Sequence, residues 1–191
     1  FNFFKDYPEV INDYDFFWFA DDDISLEGIQ INKMFQSMSD YDLDIAQPSM
    51  TLDSYFSYLI TIQCETLKIR FTNFVEVMAP CLRKSLLKDM LPFFKDAFTG
   101  MGLDSIWTYK TRKESNKMAI LDEVAMTHTR PVGGPLHQKL KEKNKTFKEE
   151  ISSNIDKIGI KQVKPVIFSA IDHEGQLLKK PQVTNIMTKE Y

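Results

Sequence analysis

The stretch "YDFFWFADDDISL", Tyr14 to Leu26, decides the fold class. Five apolar residues, four of them aromatic, lie between Asp15 and Asp21, and such a short, continuous apolar run predicts a buried central β-strand. Three adjacent carboxylates, Asp21, Asp22 and Asp23, then follow without a basic neighbour. A strand that ends in this way places acids at the carboxyl edge of a sheet, where open α/β sheets bind ligands.

The spacing within the acidic triplet predicts a metal site. Asp21 and Asp23 are one residue apart, so on an extended segment their side chains point the same way. Together they are suited to a hard cation with oxygen ligands, Mg²⁺ or Mn²⁺. Asp22 points to the other side, where we expect it to cap a helix or to support cofactor binding indirectly. The alternative is an acidic turn in which Asp23 or Ser25 is the N-cap of the next helix.

The remaining pattern alternates strands and helices through the first half, which predicts an α/β protein. Apolar spacing predicts a helix from Ile29 to Ser39. Further strands are predicted at 43–50, 55–65, 69–79 and 118–128, a Lys- and Glu-rich helix at 136–158, and a hairpin that turns at 172–175. We divide the chain into a core, residues 1–135, and a C-terminal appendage of helix plus hairpin, residues 136–191.

Composition limits the partners. The formal net charge of the 191-residue chain is −3, so we expect no nucleic-acid partner. Residues 1–137 carry 13 basic and 20 acidic side chains, whereas residues 138–165 carry 8 basic and 4 acidic ones. The two cysteines, Cys64 and Cys81, follow neither a disulfide nor a zinc pattern, and we expect buried thiols in a cytoplasmic protein. No apolar run is long enough to predict a transmembrane segment.

Three downstream residues are candidates for the same site. His128 ends a predicted strand before the Gly loop "TRPVGG", where an imidazole completes a metal's ligand set with Asp23. Asp104 follows two glycines in "GMGLDSIW" and is either a helix N-cap or an acid on the acceptor side of a cleft. Glu76 in "NFVEVMAP" is either an outward-facing strand residue, which the sequence slightly favours, or part of an acceptor pocket.

Two metal-dependent chemistries fit the acidic triplet. In nucleotide-sugar transfer, an Asp-x-Asp holds the metal that bridges the donor's diphosphate. In phosphatases of the haloacid-dehalogenase type, a strand ends in Asp-x-Asp-x-Thr/Ser, which Asp21, Asp23 and Ser25 also match. A phosphatase of that type needs a further acid pair at the end of a late strand, but the acids of "ILDEVAMTH" stand at the start of theirs. The downstream pattern therefore favours sugar transfer.

The ordered segments "YDFFWFADDDI", "LDIAQPSM", "FVEVMAP", "GMGLDSIW" and "VAMTHTRPVGG" together resemble the DUF707 family of glycosyltransferase-like proteins. The resemblance spans residues 13–134, and "FVEVMAP" and "GLD" are its most specific parts. It implies a GT-A-type fold, a mixed sheet flanked by helices. Only twenty residues precede Asp21, so we expect part of the N-terminal nucleotide-binding half to be missing, either because the chain is truncated or because the fold is reduced.

The resemblance also implies a nucleotide-sugar donor and a divalent metal, Mn²⁺ or Mg²⁺, at Asp21 and Asp23. We expect Asp21 to contact the donor ribose or a metal-bound water, and Asp23 and His128 to bind the metal. Asp104 then orients or deprotonates the hydroxyl of a carbohydrate or other acceptor. The alternatives are the phosphatase and a sugar-binding or interaction module that lacks the chemistry. Donor sugar, acceptor, stereochemical outcome and oligomeric state have no signature in this sequence.

Overall fold

The fold was taken from a computed structural model, which describes residues 1–112 and 114–191, without the side chains of 134, 135, 137 and 141. In chain order the elements are α1 Asn2–Asp6, α2 Val10–Asp13, β1 Phe16–Trp18, β2 Ile24–Ser25, α3 Gly28–Asp40, β3 Ile45–Met50, β4 Leu67–Thr72, β5 Cys81–Arg83, α4 Lys84–Phe94, α5 Leu103–Thr111, β6 Met118–His128, α6 Gly134–Glu142, α7 Phe147–Asp156, β7 Ile167–Asp172, β8 Leu177–Lys179 and α8 Lys180–Glu190.

The protein is α/β, with an open mixed sheet of eight strands flanked by helices. The strand order is β1-β5-β3-β6-β4-β7-β8, and β2 pairs with β6 outside this path. The long strand β6 is central, parallel to β3 and antiparallel to β4 and β2. The predicted α/β class is confirmed, as are the predicted helix at residues 29–39 and the hairpin turn at residues 172–175.

The first strand differs from its prediction. β1 lies at one edge of the sheet, pairs only with β5 and is half-buried, so the prediction of a buried central strand was wrong. Its aromatic residues are explained by packing outside the sheet. Phe17 packs edge-on against Phe4 of α1, and Phe19 against Phe94 of α4. The aromatic residues of this segment therefore pack against helices that cover the edge of the sheet, and they do not indicate a central strand.

The predicted strand at residues 55–65 was also wrong. This region belongs to the β3–β4 loop, residues 51–66, which contains a single 3₁₀ turn at Leu59–Thr61. Several of its large apolar side chains are exposed: Leu52, Tyr55, Phe56 and Leu59. Because aromatic and β-branched residues favour strands only when they fit a half-buried surface, their alternation here was misleading.

The C-terminal region extends the sheet. β7 pairs with β4, and β8 pairs with β7, so strands from both sides of residue 135 belong to one sheet. The predicted single helix at 136–158 is instead two helices, α6 and α7, separated by a loop in which Asn144 adopts a positive φ of 52°. Cys64 and Cys81 are free, buried thiols, as predicted.

A buried ion pair lies across the centre of the sheet. The Arg70 guanidinium of β4 donates to both carboxylate oxygens of Asp122 in β6, at 2.7 and 2.8 Å, and both side chains are fully buried. Asp122 also accepts a hydrogen bond from the backbone N–H of Cys64. The neighbouring acid Glu123 contacts Lys33 and Lys68. The acid pair in "ILDEVAMTH" is therefore occupied by basic partners.

Candidate functional site

The candidate site lies at the edge of the sheet where three strands end. β1 and β3 are each antiparallel to β5, and β3 is parallel to β6, so β1, β3 and β6 all run in the same direction. The acidic triplet follows β1, the β3–β4 loop follows β3, and His128 ends β6. The expected convergence at the carboxyl ends of strands therefore arises from a mixed sheet.

The acidic triplet itself forms a turn, because β1 ends at Trp18 and the N–H of Ile24 bonds back to the carbonyl of Asp21. Asp21 and Asp23 therefore do not lie on an extended segment, so their spacing of two residues does not make their side chains point the same way. Asp22 points into solvent, and its only ion-pair contact within residues 1–112 and 114–191 is a loose one with Arg130 at 3.5 Å.

None of the triplet caps the next helix. α3 begins after Glu27, so the alternative in which Asp23 or Ser25 is its N-cap was wrong. The expectation that Asp22 caps a helix was wrong for the same reason. The carboxylates of this turn therefore have no helix-capping role to explain them.

Asp23 and His128 are brought together. β2, which follows the turn, pairs with the end of β6, so that Ile24 lies opposite His128. The Nε2 atom of His128 lies 3.2 Å from Oδ1 of Asp23, and both side chains are nearly buried. The backbone of Thr129 and its hydroxyl both donate to the carbonyl of Asp23, which fixes this turn against the strand end.

The hydrogen bonds of His128 define which ring nitrogen is free. Nδ1 lies 2.6 Å from the backbone carbonyl oxygen of Tyr55. A carbonyl only accepts, so Nδ1 carries the proton and donates. In the neutral ring, Nε2 then carries the lone pair and lies beside Asp23. A metal-binding histidine commonly donates its other N–H to a backbone carbonyl in this way, which orients the ring.

One oxygen of the Asp23 carboxylate has no hydrogen-bond donor in the part of the chain that the structure describes. Its Oδ1 atom is buried and has no hydrogen-bond partner among the described residues, since the contact with Nε2 is not in line for a hydrogen bond. Two ligands on adjacent octahedral positions, each 2.0–2.1 Å from Mg²⁺, lie about 3 Å apart. The separation of Oδ1 and Nε2 matches that spacing, so the two atoms fit a shared divalent cation.

The protein alone does not complete a metal site. Within the described part of the chain, no three His, Cys, Asp or Glu side chains converge as a ligand group. Mg²⁺ sites in phosphate-handling proteins commonly use one or two protein ligands together with substrate phosphates. Two ligands, Asp23 and His128, agree with that arrangement.

Asp21 lies at the mouth of the site. The residue is exposed, but the atoms around its carboxylate exclude enough water to raise its pKa, and the nearby charges of Asp23 and Asp22 raise it further while His128 opposes them. Arg130 lies beside the same acids, with Nε 4.0 Å from Asp23 Oδ2. Arg130 was not among the predicted site residues, although a basic residue two positions after a strand-end histidine can be recognised in the sequence.

A connecting segment, residues 73–80, links this edge to Asp104. On one side its carbonyls accept bonds from the β1 region: Met78 from Asp21 N–H, and Pro80 from Phe19 N–H. On the other side they accept side-chain hydrogen bonds from α5: the Asn73 carbonyl from Thr108 at 2.6 Å, and the Val75 carbonyl from Trp107 at 3.0 Å. The connecting segment, which contains "FVEVMAP", is therefore hydrogen-bonded both to the turn that carries Asp21 and to α5, which carries Asp104.

Asp104 lies in the first turn of α5 and is buried. The N-cap is Gly102, whose φ of 92° suits glycine, so the alternative of Asp104 as N-cap was wrong. Its Oδ1 atom accepts from the backbone and hydroxyl of Ser105. Burial raises the pKa of the Asp104 carboxyl, and these two hydrogen bonds partly offset the increase.

Glu76, the remaining candidate from the sequence, is buried. It lies in the connecting segment, outside any strand, and is only 5% exposed, so the preferred prediction of an outward-facing strand residue was wrong. Its backbone N–H donates to Oε1 of buried Gln47 at 2.6 Å, while its own Oε2 has no hydrogen-bond partner among the described residues. A glutamate within an apolar segment does not indicate by itself whether its side chain is exposed or buried, because a strand carries side chains on both of its faces.

Comparison with known proteins gives no relative for this chain: no family model matches it, and neither a curated protein nor a solved structure is significantly similar. In the part of the chain that the structure describes, no helix has the length and apolar character needed to cross a membrane. The geometry of the site is therefore the basis for assigning a function to this chain.

Proposed function

We propose that this protein is a metal-dependent glycosyltransferase, which transfers a sugar from a nucleotide-diphospho-sugar to an acceptor hydroxyl. We further propose that its sheet is a variant of the GT-A fold and that it is related to the DUF707 family. The two buried, free thiols agree with the cytoplasmic location that we propose.

One observation carries the proposal. Nε2 of His128 and Oδ1 of Asp23, which has no hydrogen-bond partner among the described residues, lie 3.2 Å apart, and the Tyr55 carbonyl holds the imidazole in this orientation. This separation is that of two neighbouring ligands of one divalent cation. The pair also lies at a sheet edge where α/β proteins bind ligands, with the cation Arg130 beside it.

We assign Asp23 and His128 as the residues that hold Mn²⁺ or Mg²⁺. When bound, such an ion supplies Lewis-acid stabilisation of the negative charge that develops on the leaving nucleoside diphosphate. Arg130 is half-exposed and suited to a phosphate oxygen. Asp21, whose carboxylate lies at the mouth of the site, accepts a hydrogen bond from the donor ribose or a bound water. Asp104 orients the acceptor hydroxyl on the far side of the connecting segment.

The phosphatase alternative has less support. It requires a late acid pair for the metal, and the two acids of β6 are held by Arg70, Lys33 and Lys68. A covalent adduct distinguishes the two enzymes: trapping of beryllofluoride or phosphate on Asp21 would establish the phosphatase and contradict sugar transfer.

The proposal is tested by thermal unfolding of the 191-residue chain with a panel of UDP- and GDP-sugars, with and without Mn²⁺. A ligand that binds only the folded state at 100 times its Kd stabilises it by about 2.7 kcal/mol, which is measurable as a rise in Tm. We expect at least one nucleotide sugar to raise the Tm only in the presence of Mn²⁺.

Asp23→Ala is expected to abolish this Mn²⁺-dependent rise. Asp53→Asn is a matched control, because Asp53 is an exposed acid of the neighbouring β3–β4 loop. If Asp23→Ala retains the full rise, the metal assignment is wrong. If no nucleotide sugar raises the wild-type Tm, the transferase proposal fails. A nucleotide sugar that binds without being turned over would instead support a non-catalytic binding module.

A further inference from the structure

One oxygen of the buried Glu76 carboxylate is not used by the fold. Its Oε2 atom is buried and has no hydrogen-bond partner among the described residues. Burying a polar atom without a partner destabilises the folded state. The backbone of Glu76 is anchored to Gln47, but that bond would persist with almost any side chain at this position. The carboxylate is therefore suited to a partner outside the chain.

Two acids and two hydroxyl-bearing residues interact with the Glu76 carboxylate. Asp104 of α5 and Asp21 of the acidic turn are its charged neighbours, and Ser57 of the β3–β4 loop is a hydrogen-bonding neighbour. The Tyr58 phenol lies within electrostatic range of both Asp104 and Glu76, and its ring packs on Phe74 at 4.6 Å. Tyr58 is only partly buried, so this side chain is in contact with solvent.

The connecting segment places Glu76 near the metal-binding edge. Two residues after Glu76, the Met78 carbonyl accepts a hydrogen bond from the N–H of Asp21. A donor bound at Asp23 and His128 would therefore lie next to the segment that carries Glu76. An acceptor hydroxyl has to approach the donor from such a neighbouring position.

We propose that Glu76 is the catalytic base of the transfer, with Asp104 and Tyr58 orienting the acceptor hydroxyl. This inference rests on the proposed transferase function. In the step, the acceptor O–H bond breaks and its proton passes to the Glu76 carboxylate. The acceptor oxygen forms a bond to the anomeric carbon, and the bond from that carbon to the diphosphate oxygen breaks. The nucleoside diphosphate leaves with the electron pair. Because the transfer is a single displacement, the anomeric configuration is inverted.

The proton affinity of Glu76 agrees with this role. Burial raises the pKa of its carboxyl to about 7, with the negative charges of Asp104 and Asp21 adding to the increase and the Ser57 hydrogen bond opposing it. A general base is most effective when its pKa is near the working pH. Asp104 is already engaged by two donors from Ser105, which suits it to positioning.

The test combines a binding measurement with a rate. Wild type and Glu76→Gln are compared for the Mn²⁺-dependent rise in Tm with UDP or GDP, and for nucleoside-diphosphate release from the nucleotide-sugar panel. We expect Glu76→Gln to bind the nucleotide as wild type does and to lose about 100-fold or more in rate. In wild type, kcat/KM should rise with pH to a plateau above about 7, and this dependence should be absent in Glu76→Gln. Glu65→Gln, which changes an exposed glutamate, is the matched control.

The outcomes separate this inference from the proposed function. A Glu76→Gln variant that releases nucleotide as fast as an active wild type would overturn the inference and leave the transferase standing. A released sugar whose initial anomer, observed by NMR, retains the donor configuration would also overturn it. A wild type that neither binds nor turns over any nucleotide sugar would overturn both.

Discussion

The acidic side chain of Glu76 illustrates how burial changes chemistry at the scale of one residue. In water its carboxyl would be ionised at neutral pH, whereas in the folded chain its pKa is about 7 instead of the usual 4.5. The folded state therefore holds more protons than the unfolded state between these values. Stability falls as pH rises through that window, because ν_U − ν_N is negative there.

This linkage gives a prediction for Glu76→Gln, which cannot ionise. From pH 4.5 to above 7, we expect the variant to gain stability relative to wild type, by an amount on the order of 3 kcal/mol at most. Urea unfolding at several pH values measures the difference. In an Asp104→Asn background, the midpoint of this gain should move to lower pH, because one negative charge beside Glu76 has gone. A difference that does not change with pH would contradict the buried environment of Glu76.

The Arg70–Asp122 pair gives a second prediction at this scale. Both side chains are fully buried, so removal of one partner leaves an uncompensated charge in the sheet. We expect Arg70→Met to cost about 3–5 kcal/mol of unfolding free energy, measured by urea denaturation. Lys157→Met removes the exposed pair with Asp96 and should cost less than about 1 kcal/mol. Equal losses in the two variants would contradict the assigned burial.

At the scale of elements, α7 determines the position of the loop that precedes α5. Glu150 of α7 accepts hydrogen bonds from the backbone N–H groups of Phe98 and Thr99, and Asn154 donates to the Met101 carbonyl. An added Cβ at Gly102 would lie 3.3 Å from the backbone of Ile151. Helix α7, from the predicted appendage, therefore packs closely against the start of the helix that carries Asp104.

We expect Glu150→Ala to release this loop. The amides of Phe98 and Thr99 should exchange with solvent faster, and the chain should lose about 1–3 kcal/mol of stability because both backbone donors lose a charged acceptor. Hydrogen exchange read by mass spectrometry checks this. Asp156→Asn, an exposed change on the same helix, should leave exchange at both amides unaltered. Unchanged protection in Glu150→Ala would mean that α7 does not hold the loop.

The elements also show what the sequence could predict. Helix α3 and strand β6 were predicted nearly at their observed bounds, because their apolar residues repeat with the period of the element. The β3–β4 loop was mistaken for a strand because exposed aromatic residues give the same local pattern as buried ones. Local periodicity carries no information about which neighbour covers an apolar side chain, and for the same reason β1 was assigned to the centre of the sheet.

At the scale of the whole molecule, the site combines segments that are far apart in the chain. The sequence predicted that Asp23 and His128 belong together, since both follow strand ends, and the structure brings them within 3.2 Å. It did not predict the Tyr55 carbonyl that orients His128, because a backbone acceptor has no residue signature. The sequence left Glu76 between two interpretations, because the burial of this residue depends on the packing of its segment against α5 and β3 in the folded chain.

The central claim is that Asp23 and His128 hold one divalent cation. The most direct measurement is an anomalous difference map from a crystal of this chain soaked with Mn²⁺ and UDP. The account predicts a single strong peak in contact with Oδ1 of Asp23 and Nε2 of His128, with the diphosphate on its open side. A bound diphosphate with no peak between these two atoms, or with the Mn²⁺ on other residues, would contradict it.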